Sequence, residues 1–237
     1  MSSSSRTGVT ELWLSRADGS SPRQLTNLGA PSTSSPRWSP DGKQIAFDSN
    51  KDGKWECYVI NPDGGSPKRI TDKPSTNFSP RWSRDGRWLY FTSDRAGQQD
   101  VWKMPAAGGT PVQVTHHGGG APVESPDGRF LYYAKQNHDT ETSLWRTPFA
   151  GGAEEQVAPA MFRLNFSVTD RGIYYAKPDA RFGTIEYIDA ATGHQSTVHV
   201  MEKPFDLGIS ISPDGRYLLF SRADSQGANL MLMEDFK

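Results

Sequence analysis

Short apolar runs of four to seven residues, rich in aromatic and β-branched side chains, alternate along the chain with clusters of Gly, Pro, Asp and Ser. Runs of that length and composition, bounded by turn residues, predict β-strands. No segment shows a helical period over ten residues or more. The punctuation is itself periodic. A Ser-Pro-Asp-Gly-like turn occurs at Ser39-Pro40-Asp41-Gly42, Ser83-Arg84-Asp85-Gly86, Ser125-Pro126-Asp127-Gly128, Thr169-Asp170-Arg171-Gly172 and Ser212-Pro213-Asp214-Gly215, the glycines standing 44, 42, 44 and 43 residues apart. Asp-Gly pairs supply the positive-φ positions that tight hairpin turns need.

The rest of each unit keeps the same register. The run after each turn carries an aromatic (Phe47, Phe91, Tyr133, Tyr175, Phe220), and the next run carries a bulky residue at Trp13, Tyr58, Trp102, Trp145, Tyr187 and Met231. A last run carries Leu25, Ile70, Val114, Val157 and Val198. Four strands in a unit of about 43 residues is the pattern of a β-propeller blade. A lone four-stranded sheet exposes two apolar faces, so blades must stack and the recurring aromatics become the core between them. The expected fold is therefore all-β, a β-propeller of four-stranded antiparallel blades with about five blades in this chain. One propeller domain is expected over 11–237, after a structureless segment 1–10. Complete blades are placed at about 35–72, 79–115, 121–158 and 164–204, with partial blades at 11–28 and 207–237. The partial blades leave two arrangements open: a closed five-bladed ring, or the preferred one, the C-terminal part of a larger propeller of six to eight blades.

Composition removes several function classes. With 26 basic and 27 acidic residues the net charge is −1, which offers no electrostatic reason to expect nucleic acid as a partner. No apolar run approaches the roughly 18–20 residues of a membrane-spanning helix. Cys57 is the one cysteine, which excludes an internal disulfide framework and a Cys-based zinc site. Neither the Gly-x-Ser-x-Gly elbow of an α/β hydrolase nor the His-Glu-x-x-His zinc motif occurs, and Gly118-Gly119-Gly120 lacks the Lys-Ser/Thr ending of a phosphate loop. No cofactor is expected.

Candidate binding residues remain. Arg37 and Arg81 precede Trp38 and Trp82 at matching repeat positions, and two guanidiniums placed together suit a carboxylate on a peptide or sugar acid. Glu124 stands on the first, innermost strand where the two preceding units have Trp, so it is either ion-paired or part of a binding mouth. His116 and His117 in one connection and His138 in another are expected on the same loop-bearing face. Asp48-x-Asn50-x-Asp52-Gly53 matches the first half of a calcium loop, but its twelfth position is Val59, which makes Asp48, Asn50 and Asp52 a weak metal candidate beside a polar hairpin.

The repeated Trp-Ser-Pro-Asp-Gly turn, the apolar run after it and the Ser-Asp-Arg-x-Gly loop from Ser93 to Gly97 resemble the TolB-type, WD40-like propeller repeat, over Glu11 to Phe236. Similar propellers form the C-terminus of large bacterial regulators with a winged-helix domain upstream, and related ones gate prolyl-oligopeptidase-type peptidases. The resemblance implies a non-catalytic module that binds a protein, peptide or small ligand on its loop-bearing face, including as the sensor or scaffold end of a bacterial regulator, periplasmic if TolB-like or the end of a membrane-tethered regulator and otherwise cytoplasmic. Two alternatives stand beside it. One is a propeller-face enzyme, a metal-dependent lyase or hydrolase on acidic saccharides; the other is a gating propeller without its catalytic domain. The oligomeric state is left open by the sequence.

Overall fold

A computed structural model of the chain describes all residues except 1, 5–7, 17, 72–73, 139–140, 213, 225–226 and 235–237. Among the described residues there are twenty-two strands and no helix. The stretch read as one domain divides into two compact units, Met1–Pro122 and Val123–Lys237. In a repeat array each sheet packs only on its neighbours, so close contacts are local and the chain separates into groups of blades.

The first unit holds three sheets. One contains β1 (Ser2–Ser4), β2 (Glu11–Leu14) and β3 (Arg23–Gln24) in that spatial order. The next is a four-stranded meander of β4 (Thr33–Trp38), β5 (Ile45–Ser49), β6 (Glu56–Asn61) and β7 (Gly64–Arg69). The third repeats it with β8 (Asn77–Trp82), β9 (Trp88–Ser93), β10 (Asp100–Pro105) and β11 (Val112–Gln113). The dividing point falls within β12 (Gly120–Glu124). Segment 1–10, expected to lack structure, contributes β1, whose Ser2–Ser4 pair antiparallel with Trp13–Glu11. The edge of β2 has backbone groups to satisfy, and a neighbouring stretch of any composition can do so.

The second unit continues with β13 (Phe130–His138), β14 (Glu141–Pro148) and β15 (Glu155–Phe162) beside β12. A four-stranded sheet of β16 (Phe166–Val168), β17 (Gly172–Lys177), β18 (Thr184–Asp189) and β19 (Gln195–Val200) follows. The last sheet has β20 (Phe205–Ile211), β21 (Tyr217–Asp224) and β22 (Gly227–Glu234).

The repeat aromatics are the core. Phe47, Phe91, Tyr133, Tyr175 and Phe220 are all buried. In the first unit Leu12, Leu25, Ile45, Phe47, Tyr58 and Ile60 form one cluster, and Ala46, Cys57, Leu89, Phe91 and Met104 form the next. Adjacent residues of β5 thus feed opposite clusters, as the two-residue period of a strand requires. All five residues of β5 are buried, whereas the fourth strands β7 and β19 are mostly exposed.

Four turns share one geometry. Ser39 Oγ donates to Asp41 Oδ1 at 2.6 Å, the same oxygen accepts from Lys43 N, and Ser39 Oγ accepts from Gln44 N at 2.9 Å. The bonds recur at Ser83/Asp85, Ser125/Asp127 and Ser212/Asp214, and Gly42, Gly86, Gly128 and Gly215 have φ of 69–71°. The fifth, at the same spacing but with Thr169-Asp170-Arg171-Gly172 departing from the Ser-x-Asp-Gly pattern, differs. Thr169 N bonds Gly172 O directly at 2.8 Å, closing a two-residue loop, and Gly172 already belongs to β17. Glycine is needed there for space: a Cβ would lie 2.1 Å from Ile188 O and 2.5 Å from the Tyr187 ring. The matching spacing in the sequence therefore conceals two different structural demands for glycine.

Candidate functional site

Three acidic residues open β2, β6 and β10 in the first unit, and each is tied to a threonine fifteen residues on. Thr26 Oγ1 donates to Glu11 Oε2 at 2.5 Å, Thr71 Oγ1 to Glu56 Oε2, and Thr115 Oγ1 to Asp100 Oδ1 at 3.0 Å. Each hydroxyl also accepts a backbone N–H at 2.9 Å, from Leu12, Cys57 and Val101 respectively. The carboxyls then hold the connection to the next sheet. Glu11 accepts Leu28 N and Gly29 N, Asp100 accepts Gly118 N, and Glu56 accepts Asn77 Nδ2 at 3.0 Å. Asn77 Oδ1 in turn accepts Arg95 Nη2 at 2.9 Å, and the Arg95 guanidinium stacks 5.0 Å from both Phe91 and Trp102. The Ser-Asp-Arg-x-Gly loop is thus part of the frame. The only sign of these pairs in the sequence is an acid and a threonine at a constant separation, a signal weaker than the turn motif because the two residues lie fifteen positions apart rather than within one turn.

The arginine pair sits on a different device. Ser35, Ser79 and Ala121 all have φ of 50–54°, each followed by proline, and the pairing register slips between Ser34 and Arg37 and between Phe78 and Arg81. These are β-bulges, which re-aim side chains beside them. The bulged amides are captured by the preceding sheet: Ser79 N donates to Asp48 Oδ2 at 2.7 Å, and Ala121 N to Thr92 Oγ1 at 3.1 Å. The second unit has a counterpart in Gly208, with φ of 123° and its N–H on Asn165 Oδ1 at 2.7 Å.

Arg37 and Arg81 follow the first two bulges and are both partly buried. Trp82 Nε1 donates to Arg37 O at 3.2 Å, which brings the two strands together. Arg37 Nη1 donates to Pro36 O at 2.8 Å, while its buried Nε has no hydrogen-bond partner. Burial lowers the pKa of both guanidiniums; Asp48 opposes the fall at Arg37, and the charge of Arg37 adds to it at Arg81. Asp48 is 2% exposed and is the carboxyl that faces Arg37. Burial raises its pKa against bonds from Ser34 Oγ (2.6 Å), Ser79 N and Ser35 and against the charge of Arg37. The cluster is Arg37, Arg81, Asp48, Ser34, Ser79 and the Trp82 indole, with two cations to one carboxyl. Trp38, in the position of Trp82, is 45% exposed.

The other candidates do not gather. Asp48 belongs to the arginine cluster, Asn50 Oδ1 accepts Ser32 N at 2.8 Å, and Asp52 accepts the Tyr58 hydroxyl at 3.1 Å and lies 3.8 Å from Arg69. The half calcium loop is a hairpin whose polar groups point to three separate partners. Among the described residues no group of three or more His, Cys, Asp or Glu side chains could hold a metal. His116 and His117 are exposed, and the His116 carbonyl accepts Gln98 Nε2 at 2.8 Å. His138 ends β13 opposite Glu141, and its side chain lies outside the described residues. Glu124, partly buried at the end of β12, belongs to the second unit. That unit also contains a hollow of about 400 Å3 beside the shortened turn, lined by Arg171, Tyr174, Ile211 and Ser212.

Residues 4–202 match the family PD40, the TolB β-propeller domain. The Tol-Pal system protein TolB of Syntrophus aciditrophicus is 47% identical over 58 residues, 24% of this chain and 12% of that protein. Dipeptidyl-peptidase 5 of Porphyromonas endodontalis is 37% identical over 65 residues, 27% of this chain and 9% of the peptidase. Among solved structures, TolB from Acinetobacter baumannii superposes with a TM-score of 0.81 at 20% identity, over 96% of this chain and 58% of its own. TolB from Agrobacterium tumefaciens gives 0.75 at 19% identity, over 90% of this chain and 80% of its own. The chain therefore spans a small part of the curated relatives and 58% of the first of these structures.

Proposed function

This chain belongs to the TolB β-propeller family, and on that premise we propose that it is a non-catalytic module that binds a protein or peptide. The observation that supports this most is the use made of the repeat-borne acids. Glu11 and Asp100 hold backbone amides of the connections between sheets, Glu56 holds the Asn77 side chain, and Asp41, Asp85, Asp127 and Asp214 close turns. A general acid or base needs a carboxyl within reach of a substrate proton, and these carboxyls are committed to the fold. The Arg37 and Arg81 strands are the proposed contact surface. The relative named for a Tol-Pal system suggests the class of partner: a folded protein rather than a metabolite.

The test is biolayer interferometry of the purified chain against a purified Pal-type protein, run beside a turnover assay on fluorogenic dipeptides. Saturable binding without turnover is the expected result. Turnover above the buffer rate would overturn the non-catalytic reading. The match to dipeptidyl-peptidase 5 supports a second reading, a propeller that screens peptide access to a catalytic domain; unstructured peptides would then bind in preference to the folded protein.

A further inference from the structure

We infer that Arg81 and Arg37, set beside one another by the bulged strands β8 and β4, form a recognition site for a carboxylate presented by a partner peptide. This names the ligand chemistry of the surface proposed above and rests on that reading. Three observations carry it. First, charge is unbalanced: the two guanidiniums act on one another, and the one carboxyl of the cluster, Asp48, faces Arg37 and is itself bound by Ser34 Oγ and Ser79 N. Partly buried cations left without a matching anion are costly, so a site that retains two is poised for an anion from outside. Second, the donors are incompletely used. Arg37 spends Nη1 on its neighbour's carbonyl and leaves Nε unbonded, and Arg81 takes part in none of the ion pairs among the described residues. Third, the placement is built. Each arginine follows a serine held at positive φ, and the bulge of β8 is pinned by the carboxyl that faces Arg37. A planar fork of N–H donors matches a carboxylate in a bidentate arrangement that a lysine cannot supply.

Isothermal titration of the full chain tests this with two capped hexapeptides, one rich in Glu and the other its Gln isostere. The Glu peptide is expected to bind about tenfold or more tightly than the Gln peptide, the size of one charge-assisted hydrogen-bond set. Arg81→Gln is expected to bring that ratio to about one with an unchanged unfolding midpoint, and Arg81→Lys to retain part of it. Should Arg81→Gln fail to fold, Arg81→Lys carries the test, because the ratio must still fall. Equal binding of both peptides, no binding of either, a preference that survives Arg81→Gln, or inorganic phosphate displacing the Glu peptide at equal concentration would each overturn the site. If the carboxylate preference is absent while the Pal-type protein still binds, the site fails and the binding-module reading stands. Hydrolysis of the peptides overturns that reading instead.

Discussion

Removing the hydroxyl of Thr71 should reveal what the acid-threonine pairs contribute. Thr71 is buried; its Oγ1 donates to Glu56 and accepts Cys57 N at 2.9 Å. Thr71→Val keeps the shape and deletes both bonds. The bond to a carboxylate accounts for about 1.5–3 kcal/mol, and a buried N–H left without an acceptor costs about 1–3 kcal/mol. Because Glu56 keeps the bond from Asn77, the lower half of that range applies, about 3 kcal/mol in total. For a chain of this length each kcal/mol moves the midpoint by about 2–4 °C, so a fall of roughly 6–12 °C is expected. Urea unfolding followed by tryptophan fluorescence and circular dichroism would show a lower midpoint at constant slope. Thr71→Ser restores the hydroxyl and loses one methyl, about 1 kcal/mol. If Thr71→Val lies within about 0.5 kcal/mol of the parent, or if Ser is as damaging as Val, the hydroxyl is not the stabilising group and the reasoning fails.

Glycines at matching repeat positions should respond differently. Gly42→Ala meets no atom within 4 Å and carries only the positive-φ penalty, about 1 kcal/mol, whereas Gly172→Ala drives a Cβ into Ile188 O and should cost more than about 3 kcal/mol, read as loss of soluble protein or of a cooperative melt. The turn aspartates set an acid limb. Bonds from Ser83 and Arg87 hold Asp85 at about 2 against an ordinary 3.8, so its folded form binds fewer protons and its stabilisation, present above about pH 4, is lost as pH falls toward 2. Asp41, Asp127 and Asp214 shift in the same direction through the matching serines. Asp85→Asn should therefore narrow the difference between urea midpoints at pH 5 and pH 2.5; an unchanged difference would refute the assignment. Asp48 works in the opposite sense: its raised pKa makes the folded chain bind the extra proton, so its contribution declines as pH rises above the ordinary carboxyl range.

Local chemistry was legible in the sequence. A Ser-x-Asp-Gly turn closes through bonds among six consecutive residues, so four of its five readings needed no tertiary information. The strand aromatics were legible for the same reason, since a four-stranded unit with two apolar faces can bury them only against another such unit. The departures arise where distance along the chain stops predicting distance in space. Gly172 matches the turn spacing but answers to Ile188 and Tyr187 on the facing strand. Asp48, Asn50 and Asp52 share a metal-loop spacing, yet only Asp48 lies in β5 while Asn50 and Asp52 lie in the turn beyond it, where the strand period no longer aligns side chains, and each finds a different partner. Arg37 and Arg81 could be paired by register alone. That Asp48 faces one of them and pins the bulge beneath the other was decided only when one sheet packed on the next, because a captured amide and its acceptor lie 31 residues apart and meet only across two blades.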